Sequence, residues 1–352
     1  MIQMVNWLLT RRCNLKCDYC GIVRDYKNKP PEYPDMKYYN DNEMSTEFII
    51  ESLHRIQLHN PLGFHIFYGG EPFLRNDLSD IIKYCNKKGI YYTVISNNSP
   101  GIENRIKKVF DEVGIIEGFS ASVDPIYDEE ANKDEIKKSF YGMTKLKNVT
   151  RDVVKDPVAE ITVQNHNIHN LYKLVKELSD NNIYSSITFI DIAKNPYYDF
   201  SNVSDPKDLV KKSPELVQQF NQIYNDKLLV HMGDTLLQRT LDSLPSNMDC
   251  ELEKGIHNLC IDADGSVRLC LRIRGVETPK LLVTDYINKD GTLDPRLLKN
   301  ISEDKNNYCE LCNHTCMIMS KMVDEILSPY NNINNNNITS DDIIHTNLRM
   351  EK

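Results

Sequence analysis

The chain has 352 residues, of which 40% are hydrophobic and 26% charged, and its formal net charge is −9. Its length allows one large domain and a smaller one, and the acidic balance argues against a broad nucleic-acid or anionic-membrane surface, because phosphates are bound by clustered lysines and arginines. The sequence has neither a signal peptide nor a run of eighteen apolar residues. We therefore expect a cytoplasmic protein whose ten cysteines are reduced thiols or metal ligands.

Short β-rich runs alternate with helical patterns over the first 195 residues. The predicted strands cover residues 5–10, 64–68, 91–96, 118–123, 158–163 and 185–190. Apolar residues three and four positions apart predict helices within 76–89, 101–114 and 170–182. This alternation is typical of an α/β fold with parallel strands and right-handed crossovers. Because functional side chains of such sheets gather at the carboxyl ends of the strands, we expect motifs directly after these runs.

Three cysteines follow the first predicted strand, in the segment CNLKCDYC. Cys13, Cys17 and Cys20 have the spacing C-x3-C-x2-C. A structural zinc ion takes four ligands, usually from two cysteine pairs, and a disulfide would leave one cysteine over. An iron-sulfur cluster normally takes four thiolates, so a cluster held by three has one iron open to a ligand or substrate. The odd number of cysteines therefore indicates a reactive metal site.

Polar or glycine-rich segments follow the next four predicted strands. They contain Gly69, Gly70, Glu71 and Pro72 after the second strand, Asn97 after the third, Ser122 and Asp124 at the end of the fourth, and Asn165 after the fifth. Glycines let the backbone approach a ligand closely, and Glu71 offers a carboxylate to an ammonium group. Their common position predicts a ligand site at one edge of the sheet.

These motifs resemble those of the radical S-adenosylmethionine (SAM) superfamily, in which CNLKCDYC corresponds to the cluster loop and GGEP to the motif that holds the SAM amino group. The resemblance implies a partial (β/α)6 barrel with a [4Fe-4S] cluster on Cys13, Cys17 and Cys20, whose open iron is chelated by SAM. One-electron cleavage of SAM then yields a 5'-deoxyadenosyl radical that removes a substrate hydrogen atom. The SAM contacts that the resemblance implies are Tyr19, Gly69, Gly70, Glu71, Pro72, Asn97, Ser122, Asp124 and Asn165.

A second cysteine-rich segment covers residues 250–316 and holds six of the ten cysteines. Its DADGS sequence is a hairpin turn signal between two β-rich arms, which carry Cys260 and Cys270. The segment resembles the auxiliary-cluster extensions known as SPASM or twitch domains. The resemblance implies a second [4Fe-4S] cluster on Cys260, Cys270, Cys309 and Cys312, with Cys316 as a replacement for one of them. Zinc on the same four thiolates is the alternative.

The predicted architecture is a partial barrel of the radical SAM type with a small C-terminal auxiliary-cluster domain. We expect a barrel over 1–195, a linker and helical connection over 196–249, the auxiliary domain over 250–325 and an Asn-rich tail, disordered in part, over 326–352. The resemblance implies a peptide-modifying enzyme, or a dehydrogenase of a small molecule such as a sugar, reduced by a flavodoxin- or ferredoxin-like donor. A non-catalytic zinc or iron-sulfur scaffold is the alternative of another class.

Overall fold

Eight β-strands form one open sheet in the computed structural model, which describes residues 2, 4–15, 36–99, 101–123, 154–163, 168–189, 213–230, 258–268 and 282–294. The strands are β1 (Met4–Thr10), β2 (Phe64–Gly69), β3 (Tyr91–Ser96), β4 (Ile116–Ser122), β5 (Val154–Val163), β6 (Tyr184–Phe189), β7 (Asn258–Ile261) and β8 (Val267–Arg268). Their order across the sheet is β6-β5-β4-β3-β2-β1-β7-β8. Every pair from β6 to β7 is parallel, and β8 runs antiparallel to β7. The predicted α/β class and its six parallel strands are confirmed.

Helices connect most of the strands. They are α1 (Met36–Asp41), α2 (Thr46–His59), α3 (Leu78–Lys88), α4 (Glu103–Val113), α5 (Leu171–Asp180), α6 (Pro214–Asn225) and α7 (Val283–Tyr286). The three helices expected from apolar spacing are α3, α4 and α5. Helix α3 ends at Gly89, whose φ of 64° lies in the left-handed region that glycine adopts easily. No helix of the described residues has the length and hydropathy needed to cross a bilayer.

The two faces of the sheet differ in their surroundings. In β5, Ala159, Ile161 and Val163 are fully buried, whereas Glu160 and Thr162 between them are partly exposed. The buried set belongs to one hydrophobic core that includes residues of α2, α3, α4, α5 and α6. These helices therefore cover one face of the sheet. We call the opposite face, which carries Glu160 and Thr162, the inner face.

The predicted C-terminal hairpin is present and joins the main sheet. Strand β7 lies beside β1, with Asn6 opposite Cys260 and Trp7 opposite Ile261, and β8 returns antiparallel to β7. The sheet therefore extends beyond the six strands expected for the barrel, because residues from the predicted auxiliary region pair with its first strand. The domain boundaries at 195, 249 and 325 remain predictions.

Candidate active site

Cys13 and Asn97 lie in contact at the carboxyl edge of the sheet. The sulfur of Cys13 accepts a hydrogen bond from the backbone N–H of Leu15 at 3.4 Å and is 3.6 Å from the carboxamide Nδ2 of Asn97. The same nitrogen donates to Oδ1 of Asn14 at 2.9 Å. Two residues that the sequence places 84 positions apart thus meet at one point, because parallel strands bring their carboxyl ends to the same edge.

The glycines of GGEP pack against the backbone that leads from β1 to Cys13. The backbone N–H of Gly70 donates to the Thr10 carbonyl at 2.7 Å, and that of Glu71 donates to the Arg12 carbonyl at 2.8 Å. A Cβ on Gly70 would lie 2.6 Å from the Arg12 carbonyl carbon, so a larger residue does not fit. From the sequence, we expected the absence of side chains at these glycines to let a ligand approach the backbone. In the structure, it also lets the backbone of residues 10–12 pack against them.

Glu71 is completely buried, and its carboxylate joins two loops of the site. It accepts hydrogen bonds from the backbone N–H of Phe73 at 3.1 Å, from the backbone N–H of Asn97 at 2.8 Å and from the Ser96 hydroxyl at 3.1 Å. Burial raises the pKa of Glu71, and these donors oppose the shift by stabilising the carboxylate. Pro72 is buried at the start of the short 3-10 helix that Glu71 caps. The role of Glu71 toward the SAM amino group stays a prediction.

The sequence motifs did not indicate a set of buried charged residues behind this site. Arg75, only 5% exposed, donates to the carbonyls of Leu9 at 3.0 Å and Met44 at 2.9 Å. It also forms an ion pair with Asp77 at 2.6 Å. Arg75 therefore fixes the end of β1 to the segment before α2. Arg75 closes the GGEPFLR segment, but a loop arginine gives no sequence signal that it is buried.

A second buried ion pair ties the loop before Cys13 to the C-terminal hairpin. Arg11 forms two hydrogen bonds with the carboxylate of Asp262, at 3.0 and 2.7 Å, and its guanidinium lies 3.9 Å from the ring centre of Tyr39. Asp262 begins the DADGS turn and also accepts from the backbone N–H of Ala263 at 2.7 Å. The hairpin and the segment that leads to Cys13 are thus held together by a two-point charge-assisted contact.

The other predicted site residues fall into three groups. Ser122 ends β4, is partly exposed and lies opposite Glu160 of β5. Cys260 is 2% exposed on β7, where it lies opposite Asn6. The remaining ones lie outside the described residues: Cys17, Tyr19, Cys20, Asp124, Asn165, Cys270, Cys309, Cys312 and Cys316.

Cys13 suits a metal-cluster thiolate, whereas Cys85 does not. Cys13 is partly exposed and its sulfur has two nitrogen donors. Hydrogen bonds to the sulfurs are one of the ways in which proteins tune iron-sulfur clusters. Cys85 is fully buried in the helix-side core, and burial raises the pKa of its thiol well above the usual range. Cys85 is therefore a residue of the apolar core.

The family of the chain follows from a match to the radical SAM superfamily over residues 7–192. The chain belongs to this superfamily, which implies binding of SAM and a [4Fe-4S] cluster. It is also similar to Fe-coproporphyrin III synthase of Methanosarcina barkeri, with 35% identity over 115 residues, which are 32% of this chain and 25% of that protein. It is similar as well to pre-heme d1 synthase of Dinoroseobacter shibae, with 32% identity over 126 residues, which are 34% of this chain and 28% of that protein. The chain thus matches about a quarter of the length of these relatives.

Two groups of solved structures have a similar fold. The SAM-bound structure of SuiB from Streptococcus suis has a TM-score of 0.58 and 14% identity, covering 85% of this chain and 67% of SuiB. The structure of anSMEcpe with AdoMet and the Cp18Cys peptide has a TM-score of 0.55 and 15% identity, covering 95% of this chain and 99% of anSMEcpe. At these identities the similarity shows the fold.

Proposed function

We propose that this radical SAM enzyme modifies a peptide by abstracting one of its hydrogen atoms. A [4Fe-4S] cluster and SAM, when bound, would supply the chemistry, which is one-electron cleavage of SAM and removal of a substrate hydrogen atom. The observation that supports the proposal is the contact of Cys13 with Asn97 beside the GGEP loop, at the carboxyl ends of three neighbouring strands. In this proposal Cys13, Cys17 and Cys20 hold the cluster.

The residues around Cys13 have separate tasks in this proposal. Leu15 and Asn97 direct N–H groups at its sulfur, which offsets negative charge on a thiolate and eases reduction of a cluster bound there. Glu71 holds the ends of β2 and β3 in place through its buried carboxylate. Gly70 keeps its loop against the backbone before Cys13. The site is therefore preorganised by the protein before any ligand binds.

The substrate class has support from the structural comparisons. SuiB has been solved with its precursor peptide SuiA, and anSMEcpe with the Cp18Cys peptide. A porphyrin-type small molecule is the second candidate, because the sequence relatives at 35% and 32% identity are named for Fe-coproporphyrin III and pre-heme d1 synthesis. Peptide and porphyrin fractions of a bacterial extract, tested separately, distinguish the two. The fraction that raises 5'-deoxyadenosine formation, and contains a species whose mass the enzyme changes, identifies the class.

The direct test is SAM cleavage by the anaerobically reconstituted chain with dithionite as reductant. We expect 5'-deoxyadenosine from the unaltered chain and none from Cys13→Ala, which should also lose the iron of the SAM cluster. Cys85→Ala is the matched control, because this cysteine is buried in the core and should leave iron content and cleavage unchanged. A cluster-loaded chain that does not cleave SAM would contradict the proposal and favour the non-catalytic scaffold.

We also propose an auxiliary [4Fe-4S] cluster on Cys260, Cys270, Cys309 and Cys312, with Cys316 as an alternative ligand. Such a cluster would accept one electron from the substrate radical, so that a net two-electron oxidation releases one proton. The test is a chain with alanine in place of Cys13, Cys17 and Cys20. About four irons per chain with a reduced-cluster EPR signal are expected to remain. Zinc in place of iron would show a structural site and remove the electron acceptor.

A further inference from the structure

We infer that Glu160, on the inner face of β5, binds a cationic group of the substrate, an ammonium or a guanidinium. This inference rests on the proposed function for the reaction that the substrate undergoes. The binding of the cation itself can be measured without turnover. The support comes from the register of three strands, the surroundings of the carboxylate and its position relative to Cys13.

Strand register places Glu160 in a row of small hydroxyl residues. Ser122 of β4 lies directly opposite Glu160, and Ser186 of β6 lies opposite it on the other side. Side chains of register partners in a parallel sheet are on the same face. All three residues are partly exposed, whereas their strand neighbours Ala121 and Ala159 are fully buried on the helix side. Glu160 thus stands in a row of partly exposed residues whose other two members have small side chains.

The carboxylate of Glu160 lacks an ion pair within the described part of the chain. The hydroxyls of Ser186 and Ser120 form hydrogen bonds with it, while burial raises the pKa of Glu160. Asp262 and Asp77, by contrast, are paired with Arg11 and Arg75. A partly desolvated carboxylate with only neutral donors is stabilised further by a cation, because charge-assisted hydrogen bonds are about twice as strong as neutral ones.

Glu160 lies two strands away from the contact between Asn97 and Cys13. Ser96, Ala121 and Ala159 form one row across β3, β4 and β5, so the next row contains Glu160 and, by continuation of the register, Asn97. Glu160 and Asn97 are separated by two strand spacings, a distance of about 10 Å. Because Asn97 contacts Cys13, a substrate anchored at Glu160 would reach toward the SAM site along the inner face. A lysine or arginine side chain, or the amino terminus of a peptide, carries the required charge.

The test measures binding of a cationic probe by calorimetry, using the anaerobically reconstituted full chain with SAM. The probes are N-acetyl-lysine N-methylamide and its neutral counterpart N-acetyl-norleucine N-methylamide. We expect the lysine probe to bind the unaltered chain about tenfold more tightly than the norleucine probe. Glu160→Gln should abolish this preference, and Glu160→Asp should retain part of it. Glu177→Gln, which removes the same charge from an exposed position on α5, should leave it unchanged.

Equal binding of the lysine probe to the unaltered chain and to Glu160→Gln, or the absence of a preference over norleucine in the unaltered chain, would overturn the inference. The pH dependence gives a second readout, because the preference should fall as the solution becomes acidic enough to protonate Glu160. 5'-Deoxyadenosine formation by the unaltered chain tests the proposed function independently. A chain that shows the preference and cleaves no SAM would refute the proposed reaction and retain the cation site.

Discussion

The two halves of the sheet hold charged side chains in different ways. Around β1, β2 and β7, the side chains of Arg11, Glu71, Arg75 and Asp262 are at most 5% exposed, and each has several protein partners. On the inner face of β4, β5 and β6, Glu160 is surrounded by hydroxyls and has no cation beside it within the described residues. The four charged side chains of the first half thus have protein partners of opposite charge or backbone partners, whereas Glu160 has neutral hydroxyl partners within the described residues.

In the proposed function, the first half, which we call the cofactor half, would position the cluster, and the inner face of β4–β6, which also carries the predicted SAM contact Ser122, would bind the cationic group of the substrate. A common cofactor needs fixed geometry, and a fully satisfied polar network provides it because every alternative arrangement would leave a buried group without a partner. A substrate that differs from one relative to another needs a surface whose side chains can vary. The comparison therefore predicts large losses of stability when the cofactor half is altered, and effects mainly on binding when the inner face of β4–β6 is altered.

The largest effect on stability is expected from Asp262→Ala. It leaves Arg11, which is 3% exposed, buried without its counter-ion, and breaking a buried pair in this way costs about 3–5 kcal/mol. Urea unfolding measures the change. Asp264→Ala in the same turn is the control, because Asp264 is partly exposed and bonds to Ser266 within the turn, so its loss should cost about 1 kcal/mol. Equal costs for the two variants would remove the distinction between the halves.

Gly70→Ala should come next. The new methyl group would lie 2.6 Å from the Arg12 carbonyl carbon and 2.8 Å from the Arg11 carbonyl oxygen, and rigid backbone atoms cannot yield as a side chain would. We expect a loss of about 3 kcal/mol together with reduced iron content, since the displaced segment leads to Cys13. Gly89→Ala is the control: its φ of 64° lies in the left-handed region, but nothing lies within 4 Å of the new methyl group, so it should cost about 1 kcal/mol and retain iron.

Glu71→Gln tests whether the buried carboxylate is a structural acceptor. The amide nitrogen would face N–H and O–H groups that now donate to Glu71, and we expect a cost of about 2 kcal/mol in unfolding free energy. Glu112→Gln on the exposed surface of α4, where Lys108 is 3.7 Å away, should change stability far less. If Glu71→Gln kept full stability and lost only SAM binding, Glu71 would be a SAM-binding residue and not a structural hydrogen-bond acceptor.

Much of the cofactor half could be predicted from the sequence. The strands and the helices α3, α4 and α5 follow from periodicity, and the meeting of Cys13 with Asn97 follows from the rule that parallel strands end at one edge. The Arg11–Asp262 pair could not be predicted, because its members are 251 positions apart and periodicity does not show that β7 pairs with β1. The burial of Glu71 could not be predicted either, because a local motif does not show whether its carboxylate binds a ligand or accepts hydrogen bonds from backbone N–H groups.

Glu160 could have been found from the sequence. Within VAEITV, Glu160 and Thr162 alternate with Ala159, Ile161 and Val163, and this period of two marks a strand with one polar face. Helices on a parallel sheet cover the apolar face, so the polar face had to be the open one. The proposed cation site would thus lie within a strand and not after it.

The smallest effect on stability is expected from Glu160→Gln. The sign of its dependence on pH shows whether the Glu160 carboxylate is paired with a cation in the folded chain. Because burial raises the pKa of Glu160 above its ordinary value of 4.5, the protonated form favours the folded state. This contribution is complete below 4.5 and is lost as the pH rises through the raised pKa. The unfolding free energy of the unaltered chain should therefore fall relative to that of Glu160→Gln as the pH rises from 4.5 through the raised pKa of Glu160. Urea unfolding across this range measures the difference. If the variant becomes less stable relative to the unaltered chain as the pH rises, Glu160 already has a cationic partner in the folded chain. Its carboxylate would then have a structural role and would not bind the substrate.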